Sequence, residues 1–317
     1  MTTHSNNKFS FQFIQSFLKE SFSSEHRDFT TGSIRKAIFL LAIPMILEMS
    51  MESVFALVDI FFVGKLGTTA TEIVGLTESC LSIIYSIAFG VGIAATAMVA
   101  RRVGEKNIEQ ASKSGAQAIV LAIGISILIS ITGIFFGKNL LLAMGAKAID
   151  VAYGSNYIHI LLIGNIVIMM IHLMNGIFRG AGNAAIAMKS LGLANLCNII
   201  LCPICIHFWG LTGAAIATTT GRGIGVLYQL YNLNTGKGLL TLKAKYFKPN
   251  FEILASLGKI SLSSVLQFII ASGSWIAMTR IMASIGKEET AGYTIAIRIL
   301  YFSFYHHLGL AMQQLLW

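Results

Sequence analysis

The chain is 317 residues long, 55% hydrophobic and only 12% charged, with a mean hydropathy of +0.73. Soluble domains carry about 25% charged residues, so the composition excludes an ordinary soluble domain and points to a membrane protein. A formal charge of +9 would suit a nucleic-acid binder, but its distribution argues for membrane topology instead. Fifteen basic residues fall in the N-terminal segment and in the connections 101–113, 179–189 and 237–248, against five at Lys65, Lys138, Lys147, Arg280 and Lys287. Lys and Arg mark cytoplasmic connections, so the N-terminus is expected in the cytoplasm, the chain in the inner membrane, and nucleic acid is not an expected partner. Arg222, Lys259 and Arg298 lie within or beside apolar runs.

Residues 8–22 place Phe9, Phe13, Ile14, Phe17 and Leu18 on one helical face, which reads as an amphipathic helix in the inner interface. With 1–35 as a cytoplasmic segment, eight apolar stretches follow at 36–63, 70–99, 115–136, 152–178, 186–208, 211–232, 251–283 and 289–317. Each has about 20 residues or more, as a bilayer requires. An all-helical bundle is expected, because an open sheet edge cannot sit in lipid.

The first stretch carries three acids, Glu48, Glu52 and Asp59. Steps of 4 and 7 at 100° per residue bring them within about 40° of one another. An acidic stripe on a spanning helix is costly and marks an ion or substrate pathway. Burial disfavours the charged form of a carboxyl group, and a group so placed can exchange protons near neutral pH. Competition between a proton and a cation for Asp59 would give obligatory exchange. Glu48 and Glu52 would extend the acidic path or serve as structural polar contacts. Glu78 on the second stretch has the same two readings.

Further along, His159 and His172 lie about 140° apart on a helix and His306–His307 point different ways, so no metal site is expected. Asn195, Asn198 and Cys202, at spacings of 3 and 4, share a face that suits a polar cavity lining. Cys202 and Cys205 have CxxC spacing, but without a partner pair they read as small residues of a membrane helix. Gly221 and Gly225 form a GxxxG, the signature of close helix contact. The 13 methionines and 20 phenylalanines could line an apolar pocket or simply face lipid. Residues 233–250 form the longest polar connection, read as a cytoplasmic linker between a six-helix lobe at 36–232 and a second lobe at 251–317. A weak repeat crosses that linker: Leu66-Gly67 corresponds to Ile285-Gly286, Gly75 to Gly292, and Gly92 to Gly309. The second lobe then has only two of six expected helices, and the sequence looks truncated by about four. No Walker, HExxH or GxSxG motif is present, so the chain is not read as an enzyme.

Five segments in order resemble the multidrug and toxic compound extrusion (MATE) family: IPMILEMSMESVFALVDIFFVGKLG, MVARRVGEKN, FRGAGNAAIAM, NIILCPI and GLTGAAIATTTGR. The resemblance runs from residue 33 to residue 317. It implies two helical lobes arranged as a V with alternating access between them, of which this chain holds the first lobe and two helices of the second. By resemblance Asp59 is the acid that binds a proton or sodium ion, and Asn198 its polar partner. One of Thr218, Thr219 and Thr220 matches a sixth-helix contact, and Thr220 is taken as that residue. Where the proton-coupled branch of the family has a second acid this chain has Cys202, which departs from a two-acid site. The expected ion-coupling set is thus Asp59, Asn198 and Thr220, with Glu48, Glu52, Glu78, Asn195 and Cys202 along the substrate path. The expected function is multidrug efflux by H+ or Na+ antiport of organic, often cationic, compounds, by a monomer in contact with membrane lipids and with no cofactor. The alternatives are a lipid-linked oligosaccharide flippase-like transporter and a non-transporting remnant.

Overall fold

A computed structural model describes residues 20–23, 33–235 and 239–314. Most of the expected amphipathic segment 8–22 lies outside the described residues. The described fold is a two-lobe helical membrane bundle. Its helices are α1 (Ile34–Gly64), α2 (Thr68–Gly104), α3 (Ile108–Met144), α4 (Ala148–Ile163), α5 (Asn165–Gly180), α6 (Ala184–Asn234), α7 (Phe251–Ile285) and α8 (Lys287–Gln314). Five are long and apolar enough to cross a membrane, and α4 with α5 makes a sixth if the bent pair is one span.

Three helices start the same way. The side chains of Asn107, Asn183 and Asn250 accept hydrogen bonds from the backbone N–H groups of Gln110, Ile186 and Ile253. Each satisfies a donor that a helix N-terminus otherwise leaves open. These asparagines close three of the connections in which basic residues cluster.

The fourth stretch, expected as one helix, is two. α4 and α5 meet at 40° around Gly164. Asn165 explains the bend, because its Nδ2 donates to the carbonyls of Leu162 and Ser126 and to Ser130 Oγ, at 2.8, 3.1 and 2.9 Å. A side chain inserted at the junction competes with the helical ladder.

Conversely, α6 joins two expected spans. It runs 51 residues, about 76 Å, far more than one bilayer crossing. Gly210, at φ 54° and ψ −136°, breaks it, a conformation only glycine adopts readily. Residues 211–234 then fold back on residues 184–209. Contacts of Ser190 with Gly225, Asn198 with Thr218, and Cys205 with Gly213 show a tight antiparallel hairpin. A Cβ on Gly213 would fall 2.0 Å from the Cys205 carbonyl oxygen, so the turn closes backbone on backbone. The first lobe thus has six transmembrane passes. In lipid such packing of small residues, rather than water exclusion, brings helices together.

α2 carries both helices of the second lobe. α7 runs antiparallel to it: Ser86 and Ser272 share a hydrogen bond at 3.4 Å, Phe89 stacks on Phe268 at 5.5 Å, and Gly90 lies against Val265. α8 runs parallel to it, with Gly75 against Thr294 and Glu78 against Arg298. The connection after α6 is docked on α3. Gln117 Nε2 donates to the carbonyls of Tyr246 and Lys248 at 2.6 and 2.8 Å, and its Oε1 accepts from the Asn250 N–H at 2.8 Å.

Candidate ion and substrate site between α1 and α6

Two acids of α1, Asp59 and Glu52, meet the returning half of α6 as rungs of an antiparallel ladder. Asp59 is buried. Thr218 Oγ1 donates to its Oδ2 at 2.9 Å and Cys202 Sγ to its Oδ1 at 3.5 Å. Seven residues earlier on α1, Glu52 accepts from Arg222 Nη2 at 2.7 Å. Arg222 is four residues after Thr218, so both rungs use one face of α6. The Arg222 guanidinium also lies over Phe55 and Tyr85, 4.7 and 5.6 Å from the ring centres, a cation–π arrangement.

Glu48 completes the stripe on α5. It accepts from Asn175 Nδ2 at 2.6 Å and pairs with Arg179 at 3.1 Å, and Gln229 in turn donates to Asn175 Oδ1. Asn195 Nδ2 donates to the Met51 carbonyl at 2.6 Å, fixing α6 to α1 beside Glu52. Asn198 Nδ2 reaches Thr218 Oγ1 at 3.5 Å, and its buried Oδ1 has no hydrogen-bond partner among the described residues. Glu78 pairs with Arg298. His172 packs between Tyr85 and Phe89, 5.6 and 4.5 Å between ring centres.

Most of the expected residues therefore converge, but one does not. Thr220 is exposed, and Thr218 occupies the place beside Asp59. Two residues turn a helix by about 200°, so the two threonines face opposite sides. The tight return at Gly210 sets the register that brings residue 218 to residue 198. Sequence reading also left Arg179, Arg222 and Arg298 without a role, although Arg222 and Arg298 are cations within apolar runs, a signal of function or pairing. Each proves to be the partner of one glutamate. Of the four acids Asp59 alone has only neutral donors and, among the described residues, no cation within 4 Å.

On the far side of α1 lies an apolar cleft of about 610 Å³, walled by residues such as Val54, Leu57 and Phe61 of α1, Ile199 of α6, and Ile295 and Ile299 of α8. Among the described residues its walls are branched aliphatic and aromatic, with Gly64 and no methionine.

A family model described as MatE matches residues 44–204, just over half of the chain, from within α1 into the first half of α6. The chain belongs to the MatE family. Among relatives of this MatE chain, the probable multidrug resistance protein YpnP of Bacillus subtilis strain 168 is 23% identical over 275 residues, covering 86% of this chain and 61% of the relative. The multidrug export protein MepA of Staphylococcus aureus strain MRSA252 is 22% identical over 277 residues, with the same coverage. A MOP superfamily transporter from Pyrococcus furiosus, described as having a binding pocket of reverse polarity, superposes with a TM-score of 0.78 at 30% identity, over 89% of this chain and 63% of that one. An inward-facing multidrug resistance MATE family transporter superposes at 0.74 and 29% identity, over 85% and 64%. The MatE chain thus spans about 61% of its curated relatives' length.

Proposed function

We propose that the chain works in secondary active efflux of organic, often cationic, compounds, driven by exchange for H+ or Na+. The single observation that carries this reading is Asp59, a buried carboxylate held by a hydroxyl and a thiol rather than by an arginine. Such a group is free to trade a proton or a cation for its charge balance, whereas the three arginine-paired glutamates are already neutralised. The carboxylate, Thr218 Oγ1 and the unpartnered Asn198 Oδ1 supply the oxygen donors that a hard cation takes. Cys202 brings no second negative charge, so the site offers one carboxylate for one monovalent ion. The acids at Glu48 and Glu52 line the same inner face, and the apolar cleft beside α8 provides greasy surface for an organic compound. Transport, rather than covalent chemistry, fits this set of groups.

The same reading takes 36–232 as the first lobe, 233–250 as the cytoplasmic connection and 251–317 as part of the second lobe, in a monomer with its N-terminus in the cytoplasm of an inner membrane. The skew of basic residues supports that orientation. Vesicles containing the chain, loaded with a fluorescent organic cation and given either a pH or a sodium gradient, test the function. Gradient-driven release is expected, cut tenfold or more in Asp59→Asn, about 1.4 kcal/mol of lost coupling. Undiminished release in that variant overturns the reading, and the gradient that drives release identifies the ion.

A further inference from the structure

The second lobe sends a charged side chain into the first. Arg298 of α8 is only 5% exposed. It pairs with Glu78 of α2, and its Nη1 donates to the Ala56 carbonyl of α1 at 2.5 Å. Ala56 is three residues before Asp59, one turn away on the same face. The guanidinium therefore sits at the meeting point of three helices, one turn of α1 from the residue of the ion site.

Other groups around Asp59 are already committed. Thr218 and Cys202 are neutral donors from the two halves of α6. Arg222 is held by Glu52, and Glu78 by Arg298 itself. Tyr85 of α2 and Tyr157 of α4 add only neutral phenols to the surroundings. Arg298 reaches the α1 backbone one turn from Asp59, and it belongs to the other lobe. A buried cation stays where carboxylates compensate its lost hydration.

We propose that Arg298 is the positioning residue through which the second lobe senses whether Asp59 is charged. This rests on the reading of Asp59 as the ion-coupling carboxylate. Glu78 and the Ala56 carbonyl hold the guanidinium between α2 and α1, one turn from Asp59, whose charge adds attraction at longer range. Binding of a proton or cation at Asp59 removes that added attraction, and α8 loosens from the first lobe. Because coupling between sites is reciprocal, separation of the lobes in turn changes how readily Asp59 gives up its ion. The neighbouring contacts fit such a part: Thr294, one turn from Arg298, packs against Gly75, and at the start of α8 Lys287 pairs with Asp150 at 2.5 Å.

The test measures shape rather than transport, so it can fail while the efflux reading stands. Spin labels are placed at Phe208→Cys and Ile285→Cys, exposed sites at the corresponding ends of the two lobes, with Cys80 and Cys197 replaced by serine. Distances are read by pulsed electron resonance on the full 317-residue chain in lipid discs. Asp59→Asn, which removes the charge at nearly constant shape, is expected to raise the population at longer separation roughly fivefold or more, the lower end of typical site-to-site coupling. In a background of Arg298→Gln with Glu78→Gln the same change is expected to have no effect. An unchanged distribution in Asp59→Asn overturns the proposal, as does an equal shift in the neutral-pair background. Should the neutral pair not fold, Glu78→Gln alone decides. It leaves Asp59 as the guanidinium's sole carboxylate, so Asp59→Asn must then act at least twice as strongly, and an unaltered response overturns the proposal.

Discussion

Two rungs of the same ladder, seven residues apart on α1, solve the burial of a carboxylate in opposite ways. Glu52 meets a guanidinium stacked on two aromatic rings; Asp59 meets only a hydroxyl and a thiol. The first arrangement locks charge in place, because removing either partner strands the other in a poor solvent for ions. The second leaves a charge with weak obligations, which is what exchange requires. The difference lies in one residue of α6 per rung, Arg222 against Thr218, on a scaffold that is otherwise continuous.

The comparison can be broken most forcefully at its locked rung. Arg222→Leu leaves Glu52 without its cation and is expected to cost about 3 kcal/mol, at the low end for a buried pair because Glu52 is partly exposed. Thermal unfolding in detergent reads the loss, and Glu52→Gln in the same chain should restore most of it. Next comes the spacer between the rungs. Gly221→Ala places a Cβ 2.9 Å from the Ala194 carbonyl oxygen and is expected to cost about 2 kcal/mol through overpacking, disturbing both rungs together. At the open rung Thr218→Val keeps the shape but removes the donor, for about 1 kcal/mol in unfolding and a larger fractional loss of efflux. Cys202→Ser should change stability by less than about 0.5 kcal/mol, since a hydroxyl can donate where the thiol did. Thr220→Val should leave both stability and efflux unchanged, and a loss there equal to that of Thr218→Val would show that residues 211–234 sit in another register.

Much of this was legible before any coordinates. The shared face of Glu48, Glu52 and Asp59 follows from helical spacing alone, whereas the asparagine caps at Asn107, Asn183 and Asn250 were not read from the sequence. The fold back at Gly210 was expected as a loop between two apolar runs, though its tightness was not. What stayed hidden depends on how helices cross. Spacing within α6 cannot say whether residue 218 or residue 220 faces α1, because that is decided by the backbone contact of Gly213 with Cys205. Nor does an arginine in an apolar run name its partner: Glu52 and Arg222 are 170 residues apart in the chain. The bend at Gly164 was missed for a similar reason, since Asn165 breaks the helix through Ser126 and Ser130 of another helix.

The clasp of Gln117 on the connection after α6 has a mechanical consequence. With the Asn250 N–H bound to α3, α7 is pinned to the first lobe at its starting end. Its 35 residues form a lever about 52 Å long. A rotation of about 10° at the pinned end would carry the far end, where Ile285 hands over to α8, through about 9 Å, as the rise per residue dictates. With the amide of one glutamine as its pivot, such a rotation would turn a small tilt at one end of α7 into a wide displacement at the other.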